Sequence, residues 1–269
     1  MKRMVGSLSV ASMLCGGAVH GEVIHAGGTD RGVVRDHNED TLLLMPESGV
    51  YIVADGMGGH AAGEVASAMA VESVRVAVET PFWGKFDSVL PLYRTMTVLS
   101  SFYQANRNVL SASLSNRAQR GMGTTMVGAV VRDGAVDVVN LGDSRAYLIR
   151  AGQIVQISHD HSLVQALIDS GELDTPEKVA AFPHKNIITQ AIGTRPELAP
   201  DVFHVMSRPG DVYLLCSDGL VNELSDAEIL GIVEAHAENL SEGVTALIDQ
   251  TNARGARDNV TVVLVKVTG

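Results

Sequence analysis

Cysteine is nearly missing from this chain of 269 residues: Cys15 and Cys216 are the two present. Two are too few for a disulfide framework or for the Cys clusters of a structural zinc site. Charge is also sparse, at 19% of residues, and its basic half is the scarcer, with 20 Lys and Arg against 31 Asp and Glu and a formal charge of -11. No basic patch is visible that would displace counterions from a phosphate backbone, which argues against a nucleic-acid partner. Past the first 22 residues no apolar run is long enough to span a bilayer, and no low-complexity linker divides the chain. What the chain has in quantity is hydrophobic material, 46% of its residues. That suffices for the core of one two-sheet domain, expected over residues 22–269.

The opening "MKRMVGSLSVASMLCGGAVHGE" carries two basic residues and then a run of small apolar residues broken by Gly6, Ser7, Ser9 and Ser12. Leu14 precedes Cys15 where a lipoprotein processing site has a small residue. Residues 1–21 therefore read as an N-terminal extension and the protein as cytoplasmic, with a signal peptide and export as the alternative.

Beyond it, "VIHAGGTDRG", "TLLLM" and "GVYIVADG" read as strands. Residues 61 to about 79, with Val65, Met69 and Val76 near one face, read as a helix. Leu92 to Leu114 read as a second, with Leu99, Phe102, Tyr103 and Leu110 at helical spacing and its aromatics in the core. Thr124 to Ser158 reads as an antiparallel meander turning at Asp133-Gly134 and Ala151-Gly152. Short helices and loops follow, then strands at "NIITQAIGT", "DVYLLCSD" and "NVTVVLVKV". Between the last two lie helices that Ser225 and Ser241 are placed to cap. Helices mixed with mainly antiparallel strands give a layered α+β fold. Cys216, inside "VYLLCSDG", reads as a small buried strand residue.

Asp40, Asp55, Asp143, Asp218 and Asp258 all stand where apolar runs meet polar turns. Taken singly, an Asp-Gly pair is a turn, as at Asp133-Gly134. Taken together, converging carboxylates repel one another and ionise reluctantly unless cations fill the space between them. Hard oxygen ligands select Mg²⁺ or Mn²⁺.

The motifs that carry these acids are "RDHNED", "VADGMGGHAAGE", "GDSR", "SDG" and "RDNVT". Their set and order resemble the type-2C metal-dependent protein phosphatase family in its bacterial form. The resemblance implies a four-layer sandwich of two central, mainly antiparallel sheets flanked by helices, with metals in a cleft at one end. It implies that Asp55 bridges two metal ions, that Gly56 offers its carbonyl to one, and that Asp218 and Asp258 complete the other. Asp40, preferred over its neighbour Glu39, matches the acidic residue of the first motif, and Asp143 the position of a third, weaker metal.

The implied reaction is direct hydrolysis of phosphoserine or phosphothreonine by a water held between two divalent ions, Mn²⁺ or Mg²⁺. Arg35 matches the phosphate-binding arginine, whose planar fork suits two phosphate oxygens; its bland alternative is a surface salt bridge. Residues from about 160 to 186 match a mobile flap beside the cleft. Arg145 reads as structural, and His159 and His161 as satisfied histidines at a helix entry. Met57 stands where eukaryotic relatives carry a proton-donating histidine, and a thioether donates none; His60, the nearest histidine, has the wrong offset to replace it. The expected partners are phosphorylated Ser/Thr proteins, among them a cognate kinase, met by a monomer. The competing reading is a catalytically weak, phosphoprotein-binding pseudo-phosphatase.

Overall fold

Strands covered on both faces need an apolar side chain at almost every position, and this chain supplies such runs at "VYIVA", "VYLLC" and "VTVVLVKV". The computed structural model describes residues 6–7, 23–58, 62–90, 92–184 and 186–269. In chain order the elements are β1 (Gly6–Ser7), β2 (Val23–Asp30), β3 (Asp40–Met45), β4 (Val50–Met57), α1 (Ala62–Val78), α2 (Tyr93–Ser115), β5 (Gly123–Thr124) and β6 (Met126–Arg132). There follow β7 (Ala135–Leu141), β8 (Arg145–Arg150), β9 (Gln153–Gln156), α3 (Leu163–Asp169), α4 (Pro176–Ala181) and β10 (Asp201–Met206). The last are β11 (Val212–Cys216), α5 (Asp218–Val221), α6 (Asp226–Ala235), α7 (Leu240–Ala253) and β12 (Val260–Val267).

Among the described residues the strands form two antiparallel sheets, ordered β1-β2-β12-β11-β8-β9 and β10-β7-β6-β4-β3, with β5 paired to β4. Alternation along each strand divides its side chains between two apolar layers. On β4, Tyr51 and Val53 join the layer between the sheets, while Val50, Ile52 and Ala54 face α1 and α2. On β12, Val263, Val265 and Val267 face the other sheet, while Val262 and Leu264 meet Val244 and Leu247 of α7. Three apolar layers thus hold together four layers of secondary structure. Among the described residues no helix is long and apolar enough to cross a membrane.

The expected strands at β2, β3, β4, β11 and β12 are present, as are the two long helices. Five details differ. Val76 of α1 lies on the exposed face, because the contact with the sheet is made by the small side chains of Ala66 and Ala70 together with Val74. Tyr103 is likewise exposed, while Phe102 beside it is fully buried.

The expected meander is two hairpins in different sheets: β6 and β7 turn at Gly134 (φ 69°), β8 and β9 at Ala151 (φ 51°), and the chain changes sheet between β7 and β8. "NIITQAIGT" is no strand and makes only isolated bridges, Ser162 to Ile188 and Thr124 to Ile192. The edge strand β10 stands downstream instead, where alternating exposure hid it from a search for apolar runs. Ser225 does cap α6, in a capping box with Glu228, but Ser241 lies inside α7, which Asn239 caps.

One buried charge ties the helical layer to its sheet. Asp137 of β7 accepts hydrogen bonds from Arg132 Nε (2.8 Å), Arg132 Nη2 (3.0 Å), His204 Nδ1 (2.6 Å) and Thr95 of α2. Burial opposes ionisation of this carboxyl, but the donors Arg132, Thr95 and His204 outweigh it and hold the group below the ordinary carboxylate range. A folded-state pKa below the unfolded one contributes stability that is complete above the unfolded value and is lost as pH falls through the folded value. Asp137→Ala should therefore cost roughly 3–5 kcal/mol at neutral pH. In urea unfolding of variant and parent, the gap should shrink in acid, below pH about 4; a gap independent of pH would mean that the carboxylate charge contributes nothing.

Candidate metal centre

The five aspartates reach one end of the sandwich because antiparallel strands deliver alternate termini there. β3 begins with Asp40, which pairs across the ladder with Asp55 near the end of β4. In the facing sheet β11 ends at Cys216, two residues before Asp218, and β12 begins at Val260, two after Asp258. Asp143 occupies the crossing between β7 and β8. One sheet thus contributes Asp40 and Asp55, the other Asp218 and Asp258, and the crossover Asp143.

The carboxylates interact strongly. Asp55 is held well above the ordinary carboxylate range, first by burial and then by the charges of Asp40, Asp218, Asp143 and Asp258. Burial raises Asp40 too, assisted by Asp218 and Asp258 and opposed by hydrogen bonds from Thr261 and Ser217. Asp143 is pushed up to about 7 by burial, with Asp218 and Asp160 adding to it, and Asp218 is raised by burial and by Asp258. Glu39 is raised by burial, though the Gly63 backbone supports its charged form.

These shifts describe the cluster without a cation. Two buried oxygens, Asp40 Oδ1 and Asp218 Oδ1, have no hydrogen-bond partner. A positive ion would satisfy both orphans and reverse the repulsion, so the residues present fit divalent cations. Among the described residues, no three acidic or histidine side chains already form a chelating group. The fit rests on the orphaned oxygens and the shared charge.

The other oxygen of Asp40 is committed, since Oδ2 accepts from Ser217 Oγ (2.8 Å) and Thr261 Oγ1 (2.7 Å). Thr261 Oγ1 also lies 2.7 Å from Thr29 Oγ1, and Asn38 Nδ2 donates to Thr29 at 2.8 Å. Asn259 Oδ1 accepts from the Glu39 N–H at 2.8 Å, while its Nδ2 donates to the carbonyls of Arg31 and His37, each at 2.9 Å. Ser217, Asn259 and Thr261 were not foreseen as site residues. Their signal was a polar side chain inside the very motifs that carry Asp218 and Asp258, at the ends of apolar strands. Gly56 is held tightly: its N–H donates to the Glu39 carbonyl at 3.1 Å, and a Cβ there would stand 2.2 Å from the Gly63 carbonyl oxygen.

Arg35 Nη2 forms an ion pair with Asp258 Oδ2 at 2.7 Å, so the guanidinium stands at the acid cluster and is engaged by one of its members. Arg145 lies back from it, in a forked bond to buried Asp160 and a 3.0 Å bond to Tyr147 Oη. His161 accepts from the Gly142 N–H at 3.2 Å and pairs with Asp201 at 3.0 Å, and His159 pairs with Asp169 at 2.7 Å. These three make structural bonds, as expected. Residues 1–5 and 8–22, His60 and the expected first helical residue Ala61 lie outside the described residues.

Two sheets that present opposed aspartates across one end of an α/β/β/α sandwich have the build of a hydrolase for phosphate esters. Residues 28–260 match the sequence model of protein phosphatase 2C. The serine/threonine phosphatase Stp of Listeria innocua is 38% identical over 242 residues, 88% of this chain and 93% of that one. The solved serine/threonine phosphatase PstP/Ppp of Mycobacterium tuberculosis superposes with a TM-score of 0.81 at 32% identity, covering 92% of this chain and 99% of that one. A structure of the catalytic domain of PstP in complex with two manganese ions matches with a TM-score of 0.78 at 33% identity, covering 92% and 99%. The chain belongs to the protein phosphatase 2C family.

Thr261→Val removes the hydroxyl that holds Asp40 while keeping side-chain volume. It should weaken Mn²⁺ binding about tenfold in titration calorimetry, the scale of a lost outer-shell partner, with the fold retained. Unchanged affinity would remove Asp40 from the set of groups that hold the cation.

Proposed function

We propose that this protein is a divalent-cation-dependent phosphatase that hydrolyses phosphoserine and phosphothreonine in proteins, reversing the action of kinases. The observation that carries the reading is the pair of orphaned oxygens, Asp40 Oδ1 and Asp218 Oδ1, in a cluster of mutually repelling aspartates. Asp55, the carbonyl of Gly56, Asp218 and Asp258 would hold two ions, with Asp40 beside them, Glu39 as a weaker contributor and Asp143 as the seat of a third. Mn²⁺ and Mg²⁺ both suit these oxygen donors. When bound, such ions supply a more acidic water and neutralise charge on the phosphoryl oxygens.

The chain's own residues orient the substrate. Arg35 grips the phosphate with two parallel N–H donors, its guanidinium held at the acid cluster by its bond to Asp258. Met57 gives the departing oxygen no proton. The segment from about 160 to 186, with α3 and α4, acts as the flap beside the cleft. The kinase whose products it hydrolyses is itself among its expected partners. The protein acts as a monomer in the cytoplasm, where ATP-dependent kinases make its substrates, and residues 1–21 stand outside its catalytic domain, 22–269.

Chelation with EDTA should abolish hydrolysis of a phosphothreonine peptide, and added Mn²⁺ should restore it; activity that survives chelation would refute the cation-dependent reading, and absence of activity under both conditions would favour the pseudo-phosphatase. Asp55→Asn and Asp218→Asn should each lower kcat by at least about 10²-fold, because each removes a charge that holds the ions. Arg35→Ala should act mainly on KM and cost less than either. If all three variants lose the same factor in kcat with KM unchanged, the role of Arg35 as a phosphate grip is wrong.

A further inference from the structure

The β2–β3 connection, residues 31–39, displays two adjacent aliphatic side chains to water beside the cleft: Val33 is 58% exposed and Val34 62%. A lone exposed valine is ordinary on any protein surface. This pair differs because the loop that carries it is anchored on both sides of the valines. Gly32 has φ +74°, and a Cβ there would meet the carbonyl oxygens of Asp258 at 2.2 Å and Ala256 at 2.7 Å. The Val33 N–H donates to the Ala256 carbonyl at 3.1 Å, and the Gly32 N–H to Asp30 Oδ1 at 3.0 Å. Asn259 clamps the loop on both sides of the pair through the carbonyls of Arg31 and His37.

The pair also has a fixed place relative to the reaction. Val34 directly precedes Arg35, whose guanidinium meets Asp258 of the acid cluster at 2.7 Å. Consecutive Cα atoms lie about 3.8 Å apart, so both valines stand within about 8 Å of the Arg35 backbone. An extended peptide advances about 3.3 Å per residue, and a phosphoresidue at the cleft would bring a neighbour two or three positions away over the pair. Asp30 accepts from Gly32 and Asn252, Arg257 faces Glu223 at 3.4 Å, Arg31 donates to the Arg35 carbonyl, and the side chains of Arg31 and His37 are exposed beside the pair. Asp36 is exposed and would repel an acidic flank. The two valines offer a peptide an aliphatic patch beside the phosphate grip, on a loop anchored before binding by the bonds of Gly32, Val33 and Asn259.

From this we infer that Val33 and Val34 seat a bulky aliphatic residue that flanks the phosphoserine or phosphothreonine of the substrate. The inference rests on the phosphatase reading above and adds a preference among phosphoproteins. Burial of a leucine on a preorganised aliphatic seat corresponds to about a tenfold gain in kcat/KM, the scale of discrimination available to an apolar pocket.

The test uses the full chain loaded with Mn²⁺ and a set of phosphothreonine peptides on a Gly/Ser background. Each carries a single Leu at one position between three before and three after the phosphoresidue. A small aryl phosphate, which has no flanks, is the control. At one position at least, Leu should raise kcat/KM about tenfold. The double variant Val33→Ser, Val34→Ser should hydrolyse the aryl phosphate at the parent rate and lose the preference to within about twofold. Equal rates for every peptide in the parent would overturn the inference, as would a preference that survives the double substitution. Failure of the parent to hydrolyse the aryl phosphate and every peptide would instead overturn the phosphatase reading.

Discussion

The carboxylate of Asp40 joins the two sheets where the site is built. It belongs to β3 of one sheet, yet its Oδ2 takes hydrogen bonds from Ser217 and Thr261 of the other. Two hydrogen bonds thus join the sheets at Asp40, beside the Glu39–Asn259 bond and the apolar contact between the layers. Apolar packing brings the sheets together without dictating their relative shift to a fraction of an ångström. Directional bonds such as those of Asp40 restrain it, at the end of the sandwich where Asp55 on one sheet faces Asp218 and Asp258 on the other.

Ordering these acids opposes stability. Each aspartate is taken from water and set beside others of the same charge, so burial and repulsion act in the same sense on Asp40, Asp55, Asp143 and Asp218. The layers beneath outweigh this opposition. Tyr213, Leu215 and Val263 between the sheets and Leu214, Val262 and Leu264 under α7 are almost wholly buried, and each such side chain contributes about 1.5–3 kcal/mol. The strain is therefore placed at one end of a well-packed sandwich, where bound divalent cations would relieve it. Asp137, with Arg132, His204 and Thr95 around it, shows the contrast of a buried carboxylate whose protein partners satisfy it without a metal.

The loops around the site are restrained by backbone geometry as much as by side chains. Gly56 and Gly63 touch so closely that a methyl group on either would collide with the other, and a Cβ on Gly219 would lie 2.0 Å from the Asn259 carbonyl oxygen. These contacts join the start of α1 to β4 and the start of α5 to β12. They explain why Asp55 and Asp218 are followed by glycine, since close approach of chains, and not turn formation alone, requires it, while Asn259 after Asp258 serves through its side-chain bonds. The same restraint holds Val33 and Val34 out to solvent.

Much of this was legible in the order of residues. Apolar runs marked β4, β11 and β12, helical spacing marked α1 and α2, and aspartates at strand ends marked the site, because period and burial are local consequences of sequence. The change of sheet between β7 and β8 was not legible, since a hairpin and a crossing use similar turns and differ only in what each strand meets. Nor was β10, whose alternating exposure at a sheet edge leaves no apolar run, nor the exposure of Val76 and Tyr103, which depends on how closely small side chains let α1 approach its sheet and on how α2 packs beside it. By itself the sequence determined most of the elements, the family and the set of aspartates that the fold gathers at one end. Only the tertiary structure decided that Arg35 meets Asp258, that Ser217 and Thr261 hold Asp40, and that Val33 and Val34 are exposed on an anchored loop. Those contacts join residues far apart in the chain, and their geometry exists only once the two sheets have packed.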